Sequence, residues 1–323
     1  MPRSAGRWSG PLLVLLLLGA CSSPTPVPAT TPNPSVPTPS VTTSSATTSS
    51  ATTSPVTPAA PTGTPLSSPA GTPAATPPAA PATSRSATPL AAPSAPAGRR
   101  APVVVLDPGH NGGNGAHPAQ IGSLVPAGGF EKPCNTAGTE TDAGYPEHAF
   151  AFDVAQRTAA LLRARGTTVV LTRPDDTGVG PCVDVRAALA NEAGASLAVS
   201  VHADGAPADD QGFHVAEPAL APDGGNAAVL APSDVAARDL LTAFGAATGL
   251  PPATYPGDLV APGLTRRSDL AGLNLARTPA VLLEAGNMRN AQEAALLSDP
   301  SFRQRAAEGI ASGVAAFLAR STP

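Results

Sequence analysis

Between residues 101 and 323, short apolar tracts alternate with longer segments in which apolar residues recur every three or four positions. The first tract, APVVVLD, is rich in β-branched residues and runs into a glycine-rich segment, as a buried strand does. Further strands are predicted at TTVVLTR, ASLAVSVHAD, GFHVAEP and PAVLLEAG, and helices at PEHAFAFDVAQRTAALLRARG, VDVRAALANEAG, PSDVAARDLLTAFGAATG and SFRQRAAEGIASGVAAFLAR. Strands separated by helices of this length pair in parallel through right-handed crossovers. The pattern therefore predicts one α/β domain at 101–323, a three-layer sandwich with a mostly parallel central sheet flanked by helices.

The N-terminal segment has a different pattern, with Arg3 and Arg7 ahead of the apolar run PLLVLLLLGA. This run is too short for a membrane span of about 20 residues, so residues 1–20 are predicted to be a cleaved signal peptide. The motif LGAC resembles a bacterial lipobox, which implies that Cys21 becomes the lipidated N-terminus of the mature chain. A plain signal peptide cleaved nearby, with Cys21 unmodified, is the alternative. Either way the sequence predicts export, and the lipid would hold the protein on the outer face of the cytoplasmic membrane, in the cell envelope.

Residues 21–100 consist almost entirely of Pro, Thr, Ser and Ala, with no aromatic residue and with Arg85 as the first charge. A segment of this composition buries too little apolar surface to offset the entropy of ordering, so it is predicted to be a disordered tether. As a flexible coil it would have an end-to-end distance of about 50 Å. A membrane-anchored domain could therefore act at a distance from the membrane.

Charge excludes one class of partner. The chain has 19 basic and 23 acidic residues, a formal net charge of −4, and Lys132 as its only lysine. No stripe of basic residues is present that could neutralise the phosphates of a nucleic acid. We therefore expect no nucleic-acid partner, and we expect a monomer.

Candidate chemistry lies where the predicted strands end, because ligands of open α/β sheets bind beyond the carboxyl ends of the strands. His110 follows the first strand, His202 and Glu284 lie near the ends of two others, and Glu147 opens the first helix on the same side of the sheet. A catalytic zinc commonly has two His and one Glu as ligands and an open position for water. His110, Glu147 and His202 are therefore predicted to hold one zinc ion. Glu284 is left as the candidate catalytic base, because hydrolysis needs a group that takes a proton from water and returns it to the leaving amine.

These assignments have alternatives. Glu147 could instead stabilise the helix N-terminus through the helix dipole, with His148 or Glu140 as the third ligand. Neighbouring residues of a helix diverge by about 100°, so Glu147 and His148 cannot easily share one metal. His117 and His214 are interpreted as ordinary histidines, and His214 is expected to face the side of the sheet opposite to that of its neighbours in GFHVAEP.

The motifs around these residues resemble one protein family. VVVLDPGHNG with His110, a glutamate opening the next helix, VSVHAD with His202 and AVLLEAGNMRN with Glu284 are similar, in this order, to the zinc-dependent N-acetylmuramoyl-L-alanine amidases of the Amidase_3 type. VVLTRPDD and RAALANEAGA extend the resemblance over essentially all of 101–323. The resemblance implies zinc ligation by His110, Glu147 and His202, and Glu284 as the catalytic base. The implied reaction is hydrolysis of the amide between N-acetylmuramic acid and the L-alanine of the peptidoglycan stem peptide.

The motif GNMRN supplies two candidate substrate-binding residues, Asn287 and Arg289. Arg289 is placed to meet a carboxylate or a carbonyl, although an exposed arginine at a helix start is as often simply solvated. Two other functions stay open: a noncatalytic peptidoglycan-binding module and a zinc peptidase of another specificity. The unbroken LLEAGN around Glu284 argues against the first of them.

Two cysteines remain once Cys21 is assigned to lipid, namely Cys134 and Cys182. In an exported protein such a pair favours a disulfide, which would tie the loop 111–145 to the segment before the next helix. Two free thiols, or a thiolate added to the zinc, are the alternatives. Long loops inside compact domains are usually functional or mobile, so 111–145 is predicted to line the substrate groove.

Overall fold

The computed structural model describes residues 100–320. The predicted signal peptide, Cys21 and residues 22–99 of the predicted tether lie outside the described residues, as do the last three positions of the chain. Within residues 100–320, no helix combines the length and the hydropathy needed to cross a membrane.

Strands and helices alternate along most of the described chain. The strands are β1 (Val103–Pro108), β2 (Leu124–Pro126), β3 (Glu131–Pro133), β4 (Thr168–Leu171), β5 (Leu197–Asp204), β6 (His214–Pro218), β7 (Leu259–Ala261), β8 (Leu264–Arg267) and β9 (Ala280–Asn287). The helices are α1 (Pro118–Ile121), α2 (Glu147–Ala164), α3 (Val183–Glu192), α4 (Leu230–Thr248), α5 (Ala271–Asn274), α6 (Ala291–Ser298) and α7 (Pro300–Arg320).

The described residues form a seven-stranded sheet in the order β4-β1-β5-β9-β6-β8-β7. The first four of these strands are parallel, β6 is antiparallel to β9 and parallel to β8, and β7 is antiparallel to β8. The predicted α/β fold with a mostly parallel sheet flanked by helices is confirmed. The strands β7 and β8 and the separate β2–β3 hairpin were not predicted, because three or four residues are too few to show a clear periodicity.

One face of the sheet packs against α2, α4 and α7 and forms the main core. Alternate residues of the central strands, among them Val199, Val201 and Leu283, point into this core and are fully buried. The helices α4 and α7 approach each other closely at a glycine, since a Cβ on Gly313 would lie 2.7 Å from the Cα of Leu240. This long-helix layer makes the sheet a rigid support for the residues on its other face.

The opposite face is covered by shorter elements, α3, α5 and the β2–β3 hairpin. Its middle is incompletely covered, because Ala198, Ser200 and Leu282 stay partly exposed although they lie on two central strands. A cavity of about 380 Å³ opens there and reaches the carboxyl ends of β5 and β9. We refer to it as the sheet cavity.

Candidate metal centre

His110 leaves the end of β1 in an unusual backbone conformation, with φ at +57°. Positive φ is uncommon for residues other than glycine, and it turns the chain sharply at this point. The imidazole Nδ1 donates to the carbonyl of Thr136 at 3.0 Å, while Nε2 lies 3.0 Å from Glu147 Oε1. Because a carbonyl only accepts, this contact places the ring proton on Nδ1 and leaves the lone pair of Nε2 for a metal.

His202 projects from β5 toward the same carboxylate. Its Nδ1 lies 2.8 Å from Glu147 Oε1, and its ring meets that of His110 edge-on with the centroids 4.8 Å apart. The ring of His202 packs onto the backbone of Gly109, where an added Cβ would lie 2.3 Å from the imidazole Cε1. Glycine is required at this position because any side chain would displace the imidazole.

Glu147 is the first residue of α2 and is 4% exposed. Its Oε2 accepts the backbone N–H of Thr139 at 2.9 Å, while Oε1 faces both imidazoles. Burial raises the pKa of this carboxyl, but its hydrogen bonds with His110 and His202 outweigh burial and hold the pKa well below its usual value. The carboxylate is therefore ionised and directed into the site.

The three predicted ligands come together in the structure. One ligand atom from each of His110, Glu147 and His202 lies within 4.8 Å of the others, and no other group of His, Cys, Asp or Glu in residues 100–320 is so arranged. Two imidazole nitrogens and one carboxylate oxygen match the donor set of catalytic zinc sites, which keep one position open for water. The triad could hold a metal ion of this kind.

The alternative ligands do not join this group. His148 points elsewhere, with Nδ1 2.7 Å from Asp176 Oδ2. The thiolate alternative fails because Cys134 and Cys182 are bonded to each other. Glu140 is likewise absent from the metal-ligand group found within residues 100–320.

Glu284 lies on β9 directly beside His202 on β5, and it lines the sheet cavity. One of its carboxylate oxygens, Oε2, is buried and has no hydrogen-bond partner in the described part of the chain. Burial, and after it the charges of Glu147 and Asp204, raises the pKa of Glu284 well above its usual value. A carboxyl group with a raised pKa beside a metal triad is suited to proton transfer.

Two buried arginines hold the loop that carries His110. Arg173 donates to the carbonyls of Pro108 at 3.0 Å and Gly109 at 3.2 Å. Arg186 donates to the carbonyls of Pro108 at 2.6 Å and His110 at 2.7 Å. Three consecutive carbonyls are thus held by two guanidinium groups, which explains how the strained turn at His110 is maintained.

Sequence reasoning assigned no role to Arg173 or Arg186. They lie in VVLTRPDD and RAALANEAGA, and the only available signal was the position of Arg173 directly after an apolar strand. Burial lowers the pKa of Arg173 to about 10, which leaves the group charged at neutral pH. Burial raises the pKa of Asp107, but its ion pair with Arg186 at 2.8 Å and further hydrogen bonds bring that pKa down to about 2.

The two residues predicted to bind substrate lie outside the lining of the sheet cavity. Asn287 is buried, and its Nδ2 donates to the carbonyls of Pro207 at 2.9 Å and Asp210 at 2.8 Å. Its amide therefore holds the loop that follows β5. The side chain of Arg289 is 47% exposed and its Nη1 lies 3.7 Å from Asp142.

The predicted disulfide between Cys134 and Cys182 is present, and it joins the long loop to the N-cap of α3. Thr136, whose carbonyl holds His110, lies two residues after Cys134. The disulfide therefore restrains a contact that orients His110, a member of the triad. The same part of the loop reaches the sheet cavity at Asn135, Thr136, Gly138 and Thr139.

Replacing both Cys134 and Cys182 with serine is expected to lower the free energy of unfolding by about 4 kcal/mol, the chain-entropy value for a loop of this length. The two cysteines are 48 residues apart. Urea unfolding of the oxidised protein, the reduced protein and the double variant would test this. The reduced protein should match the double variant, and an unchanged midpoint in both would contradict the prediction.

The fold and the site together define a class of protein, a hydrolytic enzyme built on an α/β sandwich with a triad that could bind a metal. The family model described as N-acetylmuramoyl-L-alanine amidase matches residues 104–316. The chain belongs to the N-acetylmuramoyl-L-alanine amidase family, whose members are hydrolases of peptidoglycan.

Relatives agree with this assignment. Over 232 residues the chain is 44% identical to the N-acetylmuramoyl-L-alanine amidase Rv3717 of Mycobacterium tuberculosis, an alignment that covers 71% of this chain and 91% of the relative. The crystal structure of the amidase Ami1 from Mycobacterium smegmatis is similar with a TM-score of 0.63 and 44% identity, covering 68% of this chain and 97% of that one. The crystal structure of the apo form of Ami1 from Mycobacterium abscessus is similar with a TM-score of 0.62 and 43% identity. The match covers 67% of this chain and 98% of that one.

Proposed function

We propose that the protein cleaves the amide between N-acetylmuramic acid and the L-alanine of the peptidoglycan stem peptide, with one zinc ion held by His110, Glu147 and His202 and with Glu284 as the catalytic base. One observation carries the proposal. The three ligand atoms lie within 4.8 Å of one another, and Glu284 lines the same cavity from the neighbouring strand. Membership of an amidase family supplies the reaction.

Zinc is the metal that the donor set favours. A site of two imidazoles and one carboxylate suits zinc, whereas Mg²⁺ and Ca²⁺ prefer oxygen ligands alone. Zinc bound there would supply Lewis-acid chemistry, polarising the scissile carbonyl and lowering the pKa of a water molecule. The ordered contacts of His110 with Thr136 and of Glu147 with Thr139 hold two of the ligands in place before metal binds.

Glu284 then performs the proton transfers. It takes a proton from the attacking water and returns it to the amine nitrogen of L-alanine as the amide bond breaks. Its position beside His202 places the carboxylate next to the metal ligands, and its raised pKa allows it to hold the proton between the two steps. Arg289 is proposed to contact substrate from outside the sheet cavity, and Asn287 to support that segment by holding the neighbouring loop.

We further propose that the protein is an exported lipoprotein, with a signal peptide at 1–20, lipid on Cys21, a tether at 21–100 and a monomeric catalytic domain at 101–323. The motif LGAC and the composition of the tether support this arrangement. The disulfide between Cys134 and Cys182 suits an oxidising compartment. A peptidoglycan substrate also requires action in the cell envelope, outside the cytoplasm.

The metal proposal is tested with the full-length protein and muramyl-L-alanyl-D-isoglutamine. We expect one zinc per chain, loss of peptide release after chelation, and recovery on adding zinc. His110→Ala should lose the zinc, whereas His148→Ala, with a histidine that faces Asp176, should retain it. Full cleavage by metal-free protein would overturn the proposal.

The products separate the remaining alternatives. Release of a peptide with a new L-alanine amino terminus identifies the amidase. Cleavage at another amide would identify a zinc peptidase of different specificity. Binding of cell-wall fragments by the zinc-loaded protein without any cleavage would identify a noncatalytic module.

A further inference from the structure

A second histidine lies directly opposite Glu284. His214 on β6 pairs with Glu284 on the antiparallel strand β9. Side chains directly opposite each other in an antiparallel pair share one face of the sheet, with their Cβ atoms about 4.5–5.5 Å apart. The neighbours Phe213 and Val215 point into the main core, so His214 faces the other side, as the sequence predicted. The two side chains therefore extend from directly opposite positions on one face of the sheet.

Both members of this pair carry a buried polar atom without a partner. His214 is 4% exposed, and its Nδ1 makes no hydrogen bond within residues 100–320. Glu284 Oε2 is also buried and makes no hydrogen bond with any of the described residues. Buried polar groups in folded proteins nearly always have partners, because an unpaired one loses its hydration without compensation. With its ring proton on Nδ1, His214 would be the donor that the unpartnered Oε2 of the opposite residue lacks.

The other groups around His214 are already engaged. Tyr255 packs edge-on against its ring with the centroids 6.1 Å apart, but the Tyr255 hydroxyl donates to Asp204 Oδ2 at 2.8 Å. Asp258 pairs with Arg267 at 3.0 Å. The three charged groups that act on His214, namely Asp204, Asp258 and Arg267, thus have partners of their own. Glu284 Oε2 is the unpartnered buried acceptor that lies directly opposite His214 across the β6–β9 pair.

We propose that His214 is a positioning residue for Glu284, donating a hydrogen bond from Nδ1 to Oε2 in the substrate complex. Catalytic hydrogen bonds are often unformed in the free enzyme and tighten in the substrate complex. The bond anchors one carboxylate oxygen in the wall of the sheet cavity and leaves the other directed at the reacting water. The inference rests on the proposed role of Glu284 as the base, and it adds a residue that acts through Glu284.

Three substitutions test the role of the Nδ1 donor. His214→Asn keeps a donor close to the position of Nδ1, His214→Gln moves it toward the position of Nε2, and His214→Leu removes it. We expect kcat to fall on the order of tenfold to a hundredfold in the Leu and Gln variants, the effect of losing one orienting hydrogen bond. KM and zinc content should stay within about twofold of the unsubstituted protein, and His214→Asn should recover most of kcat.

The control is Thr265→Val. Thr265 is fully buried on β8 and also has a side-chain oxygen without a partner in the described part of the chain, but it does not oppose Glu284. The kcat of the Thr265→Val variant should equal that of the unsubstituted protein. Equal kcat in all the variants, or equal losses for Asn and Gln, would overturn the inference. If a thermal melt shows that His214→Leu does not fold, the kcat values of His214→Asn and His214→Gln still test the inference.

The assay also separates this inference from the proposed function. Glu284→Gln is measured beside the His214 variants with the same full-length protein and the same muramyl dipeptide substrate. An active Glu284→Gln would overturn the role of the base itself. An inactive Glu284→Gln together with fully active His214 variants would overturn only the role of His214.

Discussion

Replacing Glu284 with glutamine is expected to lower kcat by on the order of 10²–10⁴-fold, the range for a general acid–base group, while zinc binding stays intact. The amide keeps the size of the side chain but can no longer accept a proton from water. Zinc should stay bound because Glu284 is not a member of the ligand triad. The measurement is peptide release from muramyl-L-alanyl-D-isoglutamine together with zinc content per chain.

Glu217→Gln is the matched control. Glu217 is a buried glutamate of the same sheet, 1% exposed, whose Oε2 likewise lacks a partner among residues 100–320. It pairs with Arg266 and does not line the sheet cavity. The kcat of the Glu217→Gln variant should equal that of the unsubstituted protein. Similar losses in both variants would show that the effect comes from disturbing the sheet, and would remove the case for Glu284 as the base.

Replacing Arg186 with methionine is expected to lower the free energy of unfolding by about 3 kcal/mol, because it leaves the Asp107 carboxylate without its ion-pair partner. The carbonyls of Pro108 and His110 lose their donor as well. Since these carbonyls hold the turn that presents His110, the zinc dissociation constant should rise about 10–100-fold, as for other residues that support metal ligands. Urea unfolding of the metal-free protein and zinc titration measure the two effects separately.

Arg238→Met serves as the control for this prediction. Arg238 makes an exposed helical ion pair with Asp234, so its loss should cost less than about 1 kcal/mol and leave zinc affinity unchanged. The prediction for Arg186 fails if both variants unfold at the same urea concentration.

At acid pH the ion pair between Asp107 and Arg186 should contribute less to the free energy of unfolding. The pKa of Asp107 is lowered to about 2 in the folded protein, below its value of 3.8 in the unfolded chain. The stability it provides is therefore fully present above about pH 4 and is lost as the pH falls toward 2. The difference in stability between the Arg186→Met variant and the unsubstituted protein should narrow over this interval.

The two histidines of the triad could be found in the sequence because strand ends are visible there. His110 and His202 stand at the ends of apolar tracts, and parallel strands bring such ends to one edge of a sheet. The two arginines could not be assigned in this way. Arg173 and Arg186 act through carbonyls of Pro108, Gly109 and His110, and a contact between a side chain and a distant backbone leaves no pattern in residue types. The register of β6 against β9, which sets His214 opposite Glu284, is equally invisible because it depends on pairing between strands far apart in the chain.

The sequence by itself determined the order of five strands and four helices, the α/β class and the residues of the triad, because periodicity and strand ends are local properties of the chain. Only the tertiary structure decided that Glu147 and not His148 joins the two histidines, since that choice depends on the direction in which each side chain leaves α2. It also decided that Asn287 supports a loop and that a cavity opens in the middle of one sheet face. These features arise from packing between segments that are distant in sequence, and free energies of such contacts are set by geometry that residue types alone do not contain.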